Sequence, residues 1–350
     1  QRATATGTHG SAMGFREDLG RNRASFSSSF TRRQPRKRQP QSMNKALGDK
    51  TSSPDQVLCD VVVVSYNQRD RLLACLESAV GTNPKVRLVV IDNASVDNSA
   101  QAVAAAHPDA TLVTLPENVG FAAAVNRGVA IGVAPYILLL NNDARLGPDA
   151  LDRMRQALGN QRVAAVGPHL LGPDGQTELS LDRTLSFWSE AHFKVLGALY
   201  GSGRGPMGAY VRRLYANSRD VSSLSGACIL LRREAFEQVG GFDERFFLYA
   251  EDIDLCLRLR QMGWSLRYEA DAVVEHDRGA SRATRPMATT VHYRQSQLAF
   301  YRKHRSALAT HGLRLYLAFR FVLKRLFARD KEQRKLADDL LRCTLREPDR

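Results

Sequence analysis

The chain has 350 residues, 43% of them apolar and 25% charged, a balance typical of globular proteins that excludes disorder throughout. Its net charge of +14 is confined to the ends, since residues 1–50 hold eleven basic and three acidic residues, residues 305–350 hold twelve and six, and the middle is neutral. This distribution excludes a uniformly basic nucleic-acid coat and restricts an anionic partner to the two ends.

The composition also divides the chain into regions. Residues 1–55 are rich in Ser, Arg, Gln and Gly, and they contain too little apolar surface to offset the entropy of ordering, so we predict a disordered basic tail. We predict a folded domain at 56–305, with a nucleotide-binding half at 56–145 and an acceptor and catalytic half at 146–305. Residues 306–350 are predicted to add a basic, amphipathic helical extension.

From Asp60 onward, short apolar runs alternate with helical patterns. The all-valine run at 61–64 is typical of a strand buried on both faces. We predict strands at 61–64, 86–91, 111–115 and 136–140, and helices at 71–80, 99–106 and 120–133. This alternation indicates an α/β fold of βαβ units, with a mostly parallel sheet flanked by helices.

The second half of the chain is harder to interpret. Residues 172–220 are rich in Gly and Arg and show weak periodicity, so no element is predicted there. Beyond them we expect an ordered apolar stretch at 224–231, helices at 234–239, 251–262 and 291–303, and short strands at 264–268 and 272–275.

Cysteine use and hydropathy bear on the location of the protein. The five cysteines are scattered and include no CxxC pair, so neither a zinc site nor a disulfide framework is expected, and a reducing compartment fits. With no spanning segment or secretory leader evident, we predict a cytoplasmic protein. Residues 313–327 combine apolar bulk with four basic residues, which suits peripheral contact with an anionic membrane on its inner face, or equally a helix packed on the domain.

Ligands of α/β sheets bind beyond the carboxyl ends of the strands. Polar loops follow three predicted strands, at 65–67, 92–95 and 141–143. Asp143 could bind a Mg²⁺ or Mn²⁺ ion that takes its other ligands from a diphosphate, although Asn and Asp also dominate ordinary turns. Asp92 could accept hydrogen bonds from a base or ribose, or cap the next helix, for which Asp97 is the better candidate.

Three further features carry possible chemistry. Gly120, at a predicted helix start, would allow close backbone approach to a phosphate, but such loops are common. Glu251, Asp252 and Asp254 suit the positive end of a helix dipole, and one of them could instead act as a general base. His276 follows a predicted strand and could be a metal ligand in the company of Asp143, or a structural hydrogen-bond donor.

The ordered set of motifs resembles the inverting glycosyltransferases of family 2, which have the GT-A fold. The motifs are VVVSYN at 62–67, VIDNAS at 90–95, NVGF at 118–121, NND at 141–143, SGA at 225–227, GGFD at 240–243 and ED at 251–252. The resemblance covers about residues 60–282. Within the family, the sequence is most similar to bacterial rhamnosyltransferases that use dTDP-rhamnose.

The resemblance implies a role for each matching residue. Asp143, as the last Asp of the family's DXD motif, would hold the divalent cation with assistance from His276. Asp252 would be the catalytic base and Glu251 its neighbour. Asn141 replaces the first DXD carboxylate, which implies weaker metal binding. The nucleotide sugar would contact Ser65, Asn67, Asp92, Asn118, Gly120, Asn126 and Asn142.

The implied function is sugar transfer with inversion to a glycan or lipid-linked glycan acceptor, in bacterial cell-surface polysaccharide synthesis. Three alternatives stay open. A sugar-phosphate nucleotidyltransferase would normally have a Gly-rich basic loop after the first strand, and residues 65–68 are not one. The presence of both Asp143 and Asp252 disfavours a non-catalytic sugar-nucleotide-binding scaffold. The neutral middle disfavours a nucleic-acid-binding protein, so no specific nucleic-acid partner is expected.

Overall fold

The computed structural model describes residues 57–82, 85–201, 205–277 and 286–346, and the tail predicted at 1–55 lies outside these residues. Nine strands form one mixed sheet within the described part of the chain. They are β1 (Cys59–Ser65), β2 (Val86–Asp92), β3 (Thr111–Thr114), β4 (Tyr136–Asn141), β5 (Ala144–Leu146), β6 (Val163–Leu171), β7 (Arg219–Asp220), β8 (Cys228–Arg232) and β9 (Ser265–His276).

Helices cover the sheet and form the C-terminal region. The first four are α1 (Arg69–Thr82), α2 (Ser99–Ala106), α3 (Phe121–Ile131) and α4 (Ala150–Ala157). The next four are α5 (Phe187–Tyr200), α6 (Gly205–Leu214), α7 (Arg233–Gln238) and α8 (Glu251–Gln261). The last three are α9 (Pro286–His304), α10 (Ala307–Leu326) and α11 (Lys331–Leu345).

The strand order places the ends of distant segments side by side. The sheet runs β3-β2-β1-β4-β8-β6-β9-β5, with β7 beside β9. β3, β2, β1 and β4 are parallel, and β8 is antiparallel to β4. The carboxyl ends of the first four strands therefore meet at one edge, together with the start of β8. Antiparallel pairing of β5 with β9 adds His276, opposite Ala144, to the same region.

The valine run of β1 shows why this sheet needs cover on both sides. Val62 and Val64 belong to one buried cluster with the apolar face of α3, whereas Val61 and Val63 belong to another with α1. Successive side chains of a strand point to opposite faces, so an uninterrupted apolar run is buried only between two helical layers. Each such side chain contributes about 1.5–3 kcal/mol when fully buried.

A third apolar cluster joins the C-terminal helices to the segment before α8. From that segment it takes Phe246 and Ala250. From the helices α9, α10 and α11 it takes Leu298, Phe300, Tyr301, Leu313, Leu317, Phe321 and Leu340. The predicted helical extension is thus packed on the preceding domain through one face of α10.

The structure corrects the sequence interpretation in the second half. The short strands predicted at 264–268 and 272–275 are one strand, β9, whose register against β6 shifts between Glu269 and Val273. Residues 172–220 contain α5 and α6, whose Gly197, Gly205 and Gly208 are poor helix formers and weaken the helical signal of the sequence. No prediction was made for β6, which contains Gly167 and Pro168, two residues that are unusual inside a strand.

Two further findings concern the cysteines and the membrane. All five cysteines are free thiols, and four of them are buried. Among the described residues, no helix combines the length and the apolar character needed to cross a bilayer. The predicted division of the domain at residue 145 stays a prediction, although the sheet itself continues from β4 to β8 across that point.

Candidate active site

The loops that follow β1 and β2 are bound to each other. The backbone N–H of Asn67 donates to Ser95 Oγ at 2.8 Å, and the N–H of Val96 donates to Asn67 Oδ1 at 3.0 Å. Asn67 and Ala94 have positive φ values of 62° and 66°, which are unfavourable for residues other than glycine. Such strain persists only where the surroundings enforce it, and it often accompanies a ligand site. Ser65, at the end of β1, is fully buried beneath these loops.

Asp92 occupies the end of β2 with one carboxylate oxygen unused. The residue is 4% exposed, and its Oδ2 accepts a hydrogen bond from the N–H of Ser95 at 3.2 Å. Its Oδ1 is buried and has no hydrogen-bond partner among the described residues. Because leaving a buried acceptor unpaired is costly, this oxygen suits a ligand that donates a hydrogen bond, such as a base or a ribose.

The loop before α3 is held by Asn93, which was not among the predicted site residues. Its side-chain amide donates to Asn118 Oδ1 at 3.0 Å, and its Oδ1 accepts from the N–H of Val119 at 2.9 Å. Gly120 follows with a φ of 86°, and a Cβ there would lie 2.6 Å from the carbonyl oxygen of Phe247. Only glycine allows this loop to contact the Phe247 backbone so closely.

The structure brings Asn126 to a different neighbour from the one predicted. Its Nδ2 donates to the carbonyl of Phe242 at 2.9 Å and to Glu244 Oε1 at 3.0 Å. Its Oδ1 accepts from the N–H of Phe242 at 2.9 Å. The side chain therefore ties α3 to the loop at 242–244, and its contact with a nucleotide sugar stays a prediction.

Asp143 and His276 lie together, as the pairing of β5 with β9 requires. His276 Nε2 is 3.4 Å from Asp143 Oδ1, and its Nδ1 is 2.7 Å from Glu178 Oε2. All three side chains are almost buried. Burial opposes a charged ring, but the two carboxylates outweigh it and raise the pKa of His276 to about 9. Asn142 lies beside this group and donates to the carbonyl of Asn67 at 3.4 Å.

These donors fit a cation that is shared with a substrate. The Asp143 carboxylate is a suitable ligand for Mg²⁺ or Mn²⁺, which commonly complete their shell with phosphate oxygens and water. The His276 ring, whose pKa is about 9, would become a ligand by releasing its Nε2 proton as the cation binds. Within the described residues, no cluster of three or more His, Cys, Asp or Glu side chains forms a metal site from protein ligands alone. The arrangement of Asp143 and His276 is therefore compatible with a diphosphate-bridged cation and not with a closed structural site.

Glu251 and Asp252 begin α8 after two strained residues. Tyr249 and Ala250 have φ values of 70° and 71°. Asp252 Oδ2 accepts from the N–H of Gly226 at 2.9 Å, and Oδ1 accepts from the N–H of Ile253 at 2.8 Å. Both oxygens of this half-buried carboxylate are thus held in place by backbone donors.

The two neighbouring carboxyl groups differ in their surroundings. Glu251 is 6% exposed, and its Oε2 is buried without a hydrogen-bond partner among the described residues. Burial, followed by the charge of Asp252, raises the pKa of Glu251 well above its ordinary value. A buried carboxyl with a raised pKa, such as that of Glu251, is suited to donate a hydrogen bond beside the more exposed carboxylate of Asp252.

A short series of backbone contacts connects the acidic residues at the start of α8 with those after β4. Gly226, which holds Asp252, precedes Ala227, whose carbonyl accepts from the N–H of Asn141 at 2.9 Å. Asn141 is two residues before Asp143. The antiparallel pairing of β8 with β4 therefore brings these two carboxylates to one edge of the sheet, although 109 positions separate them in the sequence.

The third carboxylate of the cluster is structural. Asp254 is fully buried, and its Oδ1 lies 2.6 Å from both Lys303 Nζ and His304 Nε2. Its Oδ2 lies 2.7 Å from Arg258 Nε. Lys303 also contacts Asp243 Oδ2 at 2.7 Å, which joins α8 and α9 in one ion-pair network.

Sequence reasoning missed Asn93 and Glu178 as parts of this region. Asn93 had a usable signal, because it follows Asp92 directly in one of the motifs. Glu178 had no usable signal in the sequence, because it lies in an irregular segment. Its hydrogen bond with His276 joins residues that are 98 positions apart.

Known proteins share parts of this sequence. The profile of the family described as glycosyl transferase family 2 matches residues 60–240. An N-acetylglucosaminyl-diphospho-decaprenol L-rhamnosyltransferase of Mycobacterium tuberculosis is 33% identical over 255 residues, covering 69% of this chain and 82% of that protein. The O-antigen biosynthesis protein RfbC of Myxococcus xanthus is 28% identical over 234 residues, covering 63% of this chain and 17% of that protein.

The fold is also shared with a solved structure. The crystal structure of GalNAc-T7 with UDP, GalNAc and Mn²⁺ matches 82% of this chain and 55% of its own, with a TM-score of 0.53 and 12% identity. That likeness concerns the architecture, and it agrees with the expected GT-A fold. The family match over half of the chain and the 33% identical relative show the family as well as the fold. The chain belongs to glycosyl transferase family 2 and is a glycosyltransferase.

Proposed function

We propose that this glycosyltransferase moves rhamnose from dTDP-rhamnose to a hydroxyl of a lipid-linked glycan, with inversion, during synthesis of a bacterial cell-surface polysaccharide. The name of the 33% identical relative, a diphospho-decaprenol L-rhamnosyltransferase, supports both the sugar and the class of acceptor. The transfer itself follows from the family.

The donor would bind at the carboxyl edge of β1, β2 and β4. The free Oδ1 of Asp92 is suited to accept a hydrogen bond from the base or ribose. Gly120 would line the donor pocket at the start of α3, where its lack of a side chain lets the loop lie against the Phe247 backbone. The remaining proposed contacts are Ser65, Asn67, Asn118 and Asn142.

The diphosphate would lie over Asp143 and His276, which would hold the divalent cation. When bound, such an ion supplies positive charge that stabilises the departing diphosphate. Glu178 accepts the Nδ1–H of His276 and so directs Nε2 toward Asp143. A carboxylate that orients a ligating histidine in this way is a common feature of metal sites.

Asp252 would act as the base. Its carboxylate removes the proton of the acceptor hydroxyl while that oxygen forms a bond to the anomeric carbon of the sugar. The bond between the anomeric carbon and the diphosphate oxygen breaks in the same step, so the nucleoside diphosphate leaves and the configuration inverts. The backbone donors at Gly226 and Ile253 keep the carboxylate oriented for this transfer.

One observation carries the proposal, namely the hydrogen bond from the N–H of Asn141 to the carbonyl of Ala227. Through it, the cation-binding carboxylate and the proposed base belong to one edge, where a single donor and acceptor can lie between them. A non-catalytic sugar-nucleotide-binding scaffold would need Asp143 but would have no use for Asp252.

The substitution Asp252→Asn tests the proposal. We expect transfer of labelled rhamnose from dTDP-rhamnose to fall by about 10²–10⁴-fold, because a general base contributes about that much. Stabilisation of the variant by dTDP in a thermal-shift assay should stay close to that of the wild type. The matched control is Glu234→Gln, which removes an exposed carboxylate from the first turn of α7 and should leave transfer unchanged.

The outcomes of that test separate the alternatives. Wild-type turnover in Asp252→Asn would refute the base assignment. Equal losses in Asp252→Asn and Glu234→Gln would point to a general effect of helix N-terminal charge. A thermal-shift screen of dTDP-, UDP- and GDP-sugars with and without Mn²⁺ tests the donor, and a preference for a base other than thymine would overturn dTDP-rhamnose.

We also propose that the enzyme works at the cytoplasmic face of a membrane, in peripheral contact through residues 313–327. A lipid-linked acceptor requires access to a bilayer, and the extension at 305–350 carries the excess positive charge that anionic lipids attract.

A further inference from the structure

The outer face of α10 carries a row of exposed apolar side chains, here named the α10 stripe. Its members are Leu308, Leu315, Phe319, Val322 and Leu326, with exposed fractions of 84%, 73%, 65%, 44% and 68%. We propose that the α10 stripe is the surface that docks on an anionic lipid bilayer. The inference rests on the proposed function, since it supplies the contact that a lipid-linked acceptor would require.

The stripe is separate from the face by which α10 packs on the protein. At about 3.6 residues per turn, its five members fall on one side of the helix. Leu313, Leu317 and Phe321 fall on the opposite side and are buried in the C-terminal cluster. The two alternatives that residues 313–327 left open therefore describe two faces of one helix.

Single exposed apolar residues are ordinary, but a continuous row marks an interaction surface. The stripe extends over about 27 Å at 1.5 Å per residue, which suits a helix lying flat in a bilayer interface. Tyr316, Leu323 and Phe327 widen it with exposed fractions of 45%, 38% and 79%. Aromatic and leucine side chains together are typical of interfacial helices.

Charge decides between a bilayer and other occupants. Arg320 is exposed on the flank of the helix next to Tyr316 and Phe327, where its long side chain can reach lipid headgroups, whereas Lys324 lies toward the buried face. Arg314 and Arg325 are engaged within the extension, Arg314 with the carbonyl of Thr344 at 3.1 Å and Arg325 with Asp338 at 2.5 Å. A second copy on the same stripe would bring two extensions of charge +6 together, which disfavours self-association.

The inner face of α10 connects this surface to the catalytic residues. The cluster that buries Leu313 and Leu317 also contains Ala250, the residue directly before Glu251. A second connection runs from His304, at the end of α9, to Asp254 of α8. Docking through the stripe would therefore hold the start of α8 at a fixed height above the bilayer, which suits an acceptor anchored in that same bilayer.

Co-sedimentation with lipid vesicles tests the inference. The full chain should pellet with vesicles of phosphatidylcholine and phosphatidylglycerol, and far less with phosphatidylcholine alone. We expect Leu315→Gln/Phe319→Gln/Leu326→Gln to weaken binding at least about 100-fold, because three large apolar groups no longer enter the interface. Arg320→Gln should weaken it about fivefold, since one basic side chain near an anionic surface contributes about that much.

The matched control replaces exposed apolar residues elsewhere. Val133→Gln/Met262→Gln changes side chains that are 81% and 55% exposed, and it should pellet like the wild type. Thermal unfolding and stabilisation by dTDP should be unchanged in every variant, since all positions lie on the surface. Loss of binding in the control as well as in the stripe variant would show nonspecific adsorption and overturn the inference.

Two other results would overturn it. One is a wild-type chain that does not pellet with the anionic vesicles, or a stripe variant that pellets equally well. The other is a concentration-dependent dimer that the stripe variant abolishes, in which case a second copy is the occupant. Because vesicle binding requires neither donor nor acceptor, its failure is distinguishable from failure of the proposed function, which appears as unchanged transfer in Asp252→Asn.

Discussion

Replacing Asp254 by Asn tests whether the third carboxylate of α8 is structural. Asp254 Oδ1 lies 2.6 Å from both Lys303 Nζ and His304 Nε2, and Oδ2 lies 2.7 Å from Arg258 Nε. An amide group replaces one of these oxygens with a nitrogen that only donates. In either orientation of the amide, at least one cationic group then faces a donor instead of an acceptor.

The contacts also set the size of the effect. Removing one partner of a buried ion pair costs about 3–5 kcal/mol, because the other charge stays buried and unpaired. Lys303 keeps its contact with Asp243 at 2.7 Å, which offsets part of that loss. We therefore expect Asp254→Asn to lower the free energy of unfolding by about 3 kcal/mol, the lower end of the range.

Urea unfolding followed by circular dichroism measures this change. The matched control is Glu237→Gln. Like Asp254 with Arg258, Glu237 forms an ion pair with an arginine four residues away on the same helix. That pair, Arg233 with Glu237 at 3.4 Å, has a carboxylate that is 61% exposed, so its loss should cost at most about 0.5 kcal/mol. Equal destabilisation by the two substitutions would refute the argument from burial.

Two more predictions concern the edge where the donor is proposed to bind. Glu178→Gln removes the charge that orients His276, and it should weaken Mn²⁺ binding in the presence of dTDP by about 10–100-fold in isothermal titration calorimetry. Gly120→Ala would place a Cβ 2.6 Å from the carbonyl oxygen of Phe247 at a φ of 86°, and it should lower the free energy of unfolding in urea by about 1–3 kcal/mol.

Each of these predictions has a control in the chain. Glu275→Gln changes an exposed carboxylate next to His276, and a loss of Mn²⁺ affinity equal to that of Glu178→Gln would contradict the orienting role. Gly175 also has a positive φ, of 71°, but a Cβ there would meet nothing within 4 Å. If Gly175→Ala were as destabilising as Gly120→Ala, the close approach to Phe247 would not be the cause.

The first half of the fold could be predicted from the sequence because its signals are local. The valines of β1 can be buried only between two helical layers, and their burial on both faces is what the run of four indicated. The predicted helix at 99–106 has the same bounds as α2. The motifs at the strand ends led to the family and to a GT-A fold, which the comparisons confirm.

The second half was less predictable because its elements depend on distant partners. β9 was divided in two, since its middle residues break the apolar pattern where the register against β6 shifts. α5 and α6 contain Gly197, Gly205 and Gly208, which lower the helix propensity of their sequences. For residues 313–327 the sequence does not distinguish a helix that packs on the domain from a helix that contacts a membrane. Apolar residues occur on two faces of this helix, and the sequence does not show which face is buried.

By itself, the sequence determined which residue types stand at the ends of the strands, and therefore the family and its chemistry. Only the tertiary structure decided which of these residues meet. Asp143 lies beside His276 because β5 pairs with β9, and it shares an edge with Asp252 because β4 pairs with β8. These pairings join residues 88 to 132 positions apart. Pairing over such distances is set by the packing of the whole sheet, and no local pattern in the sequence records it.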